Sequence, residues 1–191
     1  MPAMHFPKIL AFVEGHMERM FIADNFRYVD TITLMNGVSW SEEAMSEQIL
    51  TKFIAKDANP DLIWIWLDRE DPSRSVVKIK SLITKKMSMH GFDRKKIKFL
   101  IPDQMTENLI LSDEELMRSI LKDPSYTYTL EGKNGKSHIK RLHKSLGINY
   151  KETYHGVNLL KKLRIANCAK ASSSANDFYS STNIKCWWIE P

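Results

Sequence analysis

Short apolar runs alternate, over the first hundred residues, with segments whose apolar positions recur at helical spacing. The runs predict buried strands, and the spaced segments predict helices that pack on a sheet. The predicted strands are residues 8–14, 29–35, 62–67 and 97–101, and the predicted helices are 16–26, 42–56 and 73–90. This β-α-β-α-β-α-β order predicts an α/β protein with a mainly parallel four-stranded sheet flanked by helices.

Several polar residues predict where these elements begin or turn. Ser41, followed by two glutamates, is typical of a helix N-cap with an acidic first turn. Ser73 is predicted to cap the next helix, and Asn36-Gly37 indicates a turn after the second strand. The most apolar run, residues 62–67, is predicted to be the central strand.

The pattern changes after residue 103. Residues 105–121 are predicted to be largely helical, with a break at Ser112 as an N-cap, and a long loop or small hairpin follows over 124–137. Further helices are predicted over 137–146, 159–169 and 175–182. The change predicts an α/β domain over 1–110 and a mostly helical, basic extension over 111–191 that packs on it.

Charge is also unevenly distributed along the chain. The net charge of +5 combines −2 over residues 1–93, with 11 Lys/Arg against 13 Asp/Glu, and +7 over 94–191, with 17 against 10. The basic second half of the chain suggests a polyanionic partner such as nucleic acid. The alternative interpretation is that these cations form a solvated surface without a partner.

The sequence also indicates a compartment. No apolar stretch approaches the ~18 residues of a membrane span, and the first residues lack the pattern of a signal peptide. Cys168 and Cys186 are too few and too widely spaced for a zinc site or a disulfide framework. We therefore expect a cytoplasmic protein with reduced thiols and no membrane association.

Carboxylates follow two of the predicted strands. Glu14 ends the first strand, and Glu18 lies in the first turn of the next helix. Asp68, Glu70 and Asp71 follow the third strand. Parallel strands end at one edge of a sheet, where open α/β proteins place their ligands. Glu14 and Glu18 also suit the positive end of a helix, which is the structural alternative.

A cluster of carboxylates repels itself unless a cation neutralises it. Oxygen ligands favour a hard ion, so Mg²⁺ or Mn²⁺ is the predicted cofactor. Such ions at carboxylates commonly support phosphoryl chemistry. The phosphate-binding pattern GxxxxGK[ST] is absent, so the chain is not predicted to hydrolyse nucleotides as a motor.

Residues 8–103 resemble the Toprim domain, the metal-binding catalytic module of topoisomerases, DnaG-type primases and OLD-family nucleases. The resemblance rests on VEGHMERMFI and on IWLDREDP. The segments MTENLILSDEELM, HGVNLLKKL and SSSANDFY extend it to small DUF4276-type, Toprim-like proteins of bacterial defence loci.

The resemblance implies roles for the acids. Glu14 matches the family's metal-binding or acid/base glutamate, and Asp68 with Glu70 matches its DxD pair, so these three are the predicted catalytic residues. Glu18 and Asp71 are predicted supporting ligands. Met17 departs from the Thr or Ser common in relatives, and Glu70 lengthens one arm of the pair, which leaves open which acid binds which ion.

Further predicted site residues lie in the second half. Glu107 and Lys151 are additional candidates for the active site, with helix capping as the alternative for Glu107. The candidate nucleic-acid contacts are the cations in and before the helix at 137–146, for which a solvated face is the alternative: Lys133, Lys136, Lys140, Arg141 and Lys144.

The expected activity is metal-dependent hydrolysis of phosphodiester bonds in DNA or RNA. Resemblance to defence-locus proteins implies an anti-phage effector that works with an ABC- or AAA-type ATPase partner, and a homo-oligomer is compatible with it. One alternative is a non-catalytic module of the same fold that binds nucleic acid or a partner. Another is a phosphatase on a different doubly wound sheet, which the missing DxDx[TV] motif disfavours.

Overall fold

The computed structural model describes residues 7–34, 40–56, 59–182 and 188–189. These residues form two compact units. Unit 1 contains the described residues up to 66 and residues 74–99, and unit 2 contains residues 67–73 and the described residues from 100 onward. The domain boundary at residue 110 stays a prediction from the sequence.

Unit 1 is built on the predicted parallel sheet. Its strands are β1 (Ile9–Val13), β2 (Val29–Thr33), β3 (Leu62–Trp66) and β4 (Ile97–Leu100), in the order β2-β1-β3-β4. The inner strand β1 pairs with both β2 and β3, and its register aligns Val13 with Trp66. All five residues of β1 are buried, which explains why its sequence is continuously apolar.

The helices of unit 1 are α1 (His16–Asn25), α2 (Glu42–Lys56) and α3 (Val76–Met89). Ser41 caps α2 as predicted, because its hydroxyl accepts a hydrogen bond from the Ala44 N–H at 3.1 Å. The predicted cap at Ser73 is wrong. Ser75 caps α3 by accepting from the Lys78 N–H at 3.2 Å. The turn predicted at Asn36-Gly37 lies outside the described residues.

Unit 2 is helical, as the second half of the sequence predicted. Its helices are α4 (Thr106–Ser112), α5 (Glu114–Leu121), α6 (Gly135–Ser145), α7 (Val157–Leu160), α8 (Ile165–Ala171) and α9 (Ser173–Ser181), and a π-helical turn spans Glu152–Gly156. Every residue of α4 is buried, and α6 and α8 pack against it. Helix α4 is therefore the core of unit 2.

The predicted break within residues 105–121 is confirmed, but its cap is Asp113 rather than Ser112. The Asp113 carboxylate accepts from the Leu116 N–H at 3.1 Å. Near the end of the chain, Trp188 is fully buried and donates its indole N–H to the Leu160 carbonyl at 3.1 Å. Cys186 and Trp187 lie outside the described residues. The described part of the chain contains no helix long and apolar enough to cross a membrane.

Candidate functional site

In unit 1, Glu14 directly follows β1 and is 8% exposed. Its carboxylate accepts a hydrogen bond from the indole N–H of Trp40 at 3.3 Å. The guanidinium of Arg74 lies 4.3 Å from the centroid of the Trp40 ring, a cation–π distance. The sequence did not predict a role for Trp40 or Arg74, since both are far from Glu14 in the chain.

Glu18 is also buried, at 4% exposure, in the first turn of α1. Its carboxylate lies close to Gly15: a Cβ atom on residue 15 would stand 2.5 Å from Oε2 of Glu18. The glycine therefore makes room for the acid at the start of the helix. This position suits the structural interpretation of Glu18, because a carboxylate there is stabilised by the positive end of the helix.

In unit 2, Asp68 is anchored to the start of α4. Its Oδ1 accepts from both the N–H and the hydroxyl of Thr106, at 2.8 and 3.0 Å. Thr106 is fully buried, so these bonds hold the half-buried aspartate in one orientation. One carboxylate oxygen is thus committed to the helix terminus.

Glu70 has a left-handed backbone conformation, with φ of +56°. For a residue other than glycine this conformation costs roughly 1–2 kcal/mol. The turn is held by the Glu70 N–H, which donates to the Gln104 carbonyl at 2.7 Å, and by an ion pair between Arg69 and Asp103 at 3.1 Å. Backbone strain of this kind often accompanies functional residues.

Asp71 stabilises the same turn, since its Oδ1 accepts from the Ser73 N–H at 2.8 Å. Asp71 and Ser73 are both exposed. This bond gives Asp71 a structural role in the turn that precedes α3.

Glu107 is a deeply buried carboxylate, at 3% exposure, in the first turn of α4. The hydroxyl of Tyr150, itself 6% exposed, lies 3.5 Å from its Oε1 as a donor. A buried carboxylate is costly unless it has charged or hydrogen-bonding neighbours. Glu107 has such neighbours in Tyr150 and in the cation described next.

Lys136, in the first turn of α6, forms an ion pair with an acid of the π-helical turn. Its ammonium pairs with Glu152 at 2.6 Å. Burial lowers the pKa of Lys136, but the hydrogen bond to Glu152 and the negative charges of Glu152, Glu107 and Asp68 outweigh it, so the pKa lies above its ordinary value. We call Asp68, Glu107 and Glu152 the acid cluster. Lys136 was predicted as a contact for nucleic acid, and the structure places it beside these acids.

Two histidines stand next to Tyr150. His143 is buried, its Nδ1 lies 2.9 Å from the Ile139 carbonyl, and its ring centroid is 4.9 Å from that of Tyr150. His155 accepts from the Lys151 N–H at 2.9 Å through Nδ1. Burial lowers the pKa of His143, although the bond to Ile139 opposes this. Lys151, predicted near the active site, is exposed and contributes its backbone to this turn.

The other predicted nucleic-acid contacts are exposed cations. They are Lys133, Lys140, Arg141 and Lys144. The guanidinium of Arg141 lies 3.1 Å from the ring nitrogens of His138. Lys140 and Lys144 line an open cleft of about 470 Å³ with Gly147, Ile148, Asn149 and Tyr150.

Within the described residues, no three His, Cys, Asp or Glu side chains form a group that could hold a metal ion. The acid cluster combines two buried or half-buried carboxylates, Asp68 and Glu107, with the paired Glu152. Comparison of the chain with protein-family models, with curated proteins and with solved structures gave no match.

Proposed function

We propose that this chain is a metal-dependent nuclease that hydrolyses phosphodiester bonds in DNA or RNA. The observation that supports it most is the position of α6 in unit 2. At its first turn, Lys136 forms an ion pair with Glu152 at 2.6 Å, and further along the same helix Lys140 and Lys144 are exposed. Lysines suited to phosphates thus lie on a helix whose first turn is paired with an acid.

Asp68 and Glu107 are the residues of unit 2 that would hold Mg²⁺ or Mn²⁺, because both offer carboxylate oxygens of the type these ions prefer. A bound divalent cation supplies charge stabilisation and activates water at neutral pH. The resemblance to Toprim proteins supports four further ligands, which stay predictions from the sequence: Glu14, Glu18, Glu70 and Asp71.

The chain's own residues prepare this chemistry. Thr106 fixes one oxygen of Asp68, and Tyr150 donates toward Glu107. Lys136 contributes a positive charge that stabilises the clustered acids and would also stabilise negative charge that develops on a phosphate. Because these groups are held before substrate arrives, little reorganisation is needed on binding.

The resemblance further supports an anti-phage defence role in which an ABC- or AAA-type ATPase partner controls cleavage. The chain contains no phosphate-binding loop of the GxxxxGK[ST] type, so such a partner would supply the nucleotide dependence. Self-association into a homo-oligomer is part of the same proposal.

Cleavage assays test the proposal. The purified protein is incubated with DNA, tRNA and other RNA in Mg²⁺ or Mn²⁺, and again with EDTA. We expect metal-dependent cleavage, and we expect Glu107→Gln to reduce its rate by about 100-fold or more, because the amide removes one of the charged oxygens that would hold the cation. Glu115→Gln, at an exposed glutamate paired with Lys170, is the matched control and should cleave normally.

Two results would overturn the proposal. One is the absence of cleavage of every substrate with either metal, including assays with the ATPase partner present. The other is a folded Glu107→Gln variant that cleaves as fast as wild type. Glu14→Gln tests the prediction from the resemblance separately, and unchanged cleavage in that variant would remove Glu14 from the site.

A non-catalytic module that binds nucleic acid is the second candidate. The observation that favours it is the double hydrogen bond from Thr106 to Asp68, which gives this aspartate a structural reason to be present. In that case the basic face binds nucleic acid, and no metal produces cleavage.

A further inference from the structure

The segment of unit 2 that contains α6 and the π-helical turn is strongly basic, and its exposed cations include Lys133, Lys140, Arg141 and Lys144. Residues 133–164 contain nine Lys or Arg and a single acid, Glu152. That acid is paired with Lys136 at 2.6 Å, so the remaining charge of the segment is strongly positive. Such a surface attracts a polyanion.

The cleft on this surface has a volume of about 470 Å³, which is in the range of small-molecule pockets. Lys140 and Lys144 stand one helical turn apart, about 6 Å along the axis of α6. Ile148, 40% exposed, and Tyr150 add apolar and aromatic surface to the same cleft.

An exposed aromatic ring lies close by. Tyr154 is 64% exposed, although tyrosines usually bury most of their ring. Its ring contacts His155 at 4.9 Å between centroids, and the His155 ring in turn stacks on Tyr150, which lines the cleft, at 6.1 Å. The π-helical turn that carries Tyr154 is a rare structure that is frequent at functional sites.

We propose that the cleft of Lys140, Lys144 and Tyr150 binds single-stranded nucleic acid, with the two lysines on phosphates and Tyr154 stacked on a base. The proposal rests on the nucleic-acid-directed function above and narrows it to single strands. Exposed aromatic rings beside lysines are how proteins hold single strands, because an unpaired base offers its face for stacking. A duplex keeps its bases stacked and presents mainly phosphates.

Binding is measured by fluorescence anisotropy in EDTA, so that cleavage plays no part. The probes are a labelled 12-nucleotide single strand, as DNA and as RNA, and duplexes of the same sequence. We expect at least one of the single strands to bind more tightly than its duplex. Tyr154→Ala should weaken that binding by roughly 5- to 140-fold, the measured range for loss of one base stack. Tyr154→Phe, which keeps the ring, should bind as wild type does.

The role of the two lysines is tested by measuring how the binding constant depends on salt concentration. For Lys140→Gln/Lys144→Gln we expect weaker binding and a slope of log K against log salt that is shallower by about 1.4, the value for two phosphate contacts on a single strand. Tyr154→Ala should leave the slope unchanged. Lys85→Gln, an exposed lysine of α3, is the control and should leave affinity unchanged.

Duplex binding equal to or tighter than single-strand binding overturns this proposal, as does wild-type affinity in Tyr154→Ala. Its failure is distinguishable from failure of the nuclease proposal. If Glu107→Gln loses cleavage but keeps single-strand binding, both stand. If single strands bind more tightly than duplexes and the variants weaken binding as expected, but no substrate is ever cleaved, the binding-site proposal is supported and the nuclease proposal is wrong.

Discussion

Gly135, the first residue of α6, lies against the backbone of α4. A Cβ atom at this position would stand 2.6 Å from the backbone nitrogen of Asn108 and 2.5 Å from its Oδ1. The Gly135 N–H also donates to Oδ1 of Asn108 at 3.2 Å. Glycine is therefore required here by the close approach of two helices rather than by a turn.

Replacing Gly135 by alanine should destabilise the protein by about 1–3 kcal/mol, because the backbone nitrogen of a buried helix cannot move aside as a flexible side chain would. Chemical denaturation of purified protein measures the change. Ser137→Ala, an exposed position on the same helix, is the control and should stay within about 0.5 kcal/mol of wild type. Equal denaturation midpoints for Gly135→Ala and wild type would contradict the close packing.

Asn108 illustrates why such residues are not visible in the sequence. Its amide donates to the carbonyls of Leu130 and Lys133, at 3.2 and 2.9 Å, and so fixes the loop that leads into α6. The sequence predicted the loop from its glycines and the helix from its spacing, both of which are local signals. The bonds of Asn108 join residues more than twenty positions apart, for which the pattern along the chain carries no signal.

At the scale of the elements, Asp113 joins three helices. It caps α5 through the Leu116 N–H, and its other oxygen accepts from the Arg164 N–H, just before α8, at 2.8 Å. Its chain position directly follows α4, and its side chain is 1% exposed. A surface acid of an ordinary first turn would not show such burial.

Asp113→Ala should therefore cost about 2–4 kcal/mol, the sum of a lost cap and a buried N–H left without its acceptor. Asp113→Asn keeps an oxygen for the cap and should cost less. Denaturation midpoints measure both, with Glu115→Ala as the exposed control in the same helical turn. If alanine and asparagine at position 113 were equally mild, the link between α5 and α8 would not depend on this carboxylate.

The order of the strands and helices in unit 1 was predictable from the sequence, but the residues that cap the helices were harder to predict. The apolar runs of β1 and β3 and the helical spacing of α2 identify these elements because burial imposes the pattern locally. The predicted caps at Ser73 and Ser112 were wrong by two residues and one residue. Both serines have other polar residues beside them that could also cap the helix. Contacts between residues far apart in the chain, such as that of Arg164 with Asp113, help to decide which polar residue becomes the cap.

For the candidate site, the sequence identified the residue types but not their partners. Asp68 and Glu107 were both predicted, from the acidic segment after a strand and from the resemblance. Their common neighbour Lys136 was predicted to face nucleic acid, since helical spacing aligned it with Lys140 and Lys144. The structure pairs Lys136 with Glu152 at 2.6 Å, and its contact with nucleic acid stays a prediction.

At the scale of the whole molecule, the pH dependence of stability should reveal the buried histidine of unit 2. His143 is enclosed by α6 and by the turn that carries Tyr150 and His155. Burial lowers its pKa, and the nearby His155 acts in the same direction, while the bond to the Ile139 carbonyl opposes both. In the unfolded chain a histidine takes up its proton near pH 6.5.

Between that value and the lower pKa of the folded state, the unfolded chain binds more protons, so the free energy of unfolding falls as the pH falls. The contribution of His143 is fully present above about pH 6.5 and is lost as the solution becomes more acidic. His138, whose pKa is also lowered, acts in the same direction but is much less enclosed. Urea denaturation at pH 7.5 and pH 5.5 measures the loss.

We expect His143→Asn to be less stable than wild type at pH 7.5 and to lose less of its stability on going to pH 5.5, because it has no buried imidazole to protonate. Leu142→Ala, on the same helix, is the matched control: it should lower stability at both pH values and keep the wild-type pH dependence. A His143→Asn variant that loses as much stability as wild type between the two pH values would show that acid sensitivity arises elsewhere. The candidate sources would then be the carboxylates, whose protonation removes the ion pair between Glu152 and Lys136.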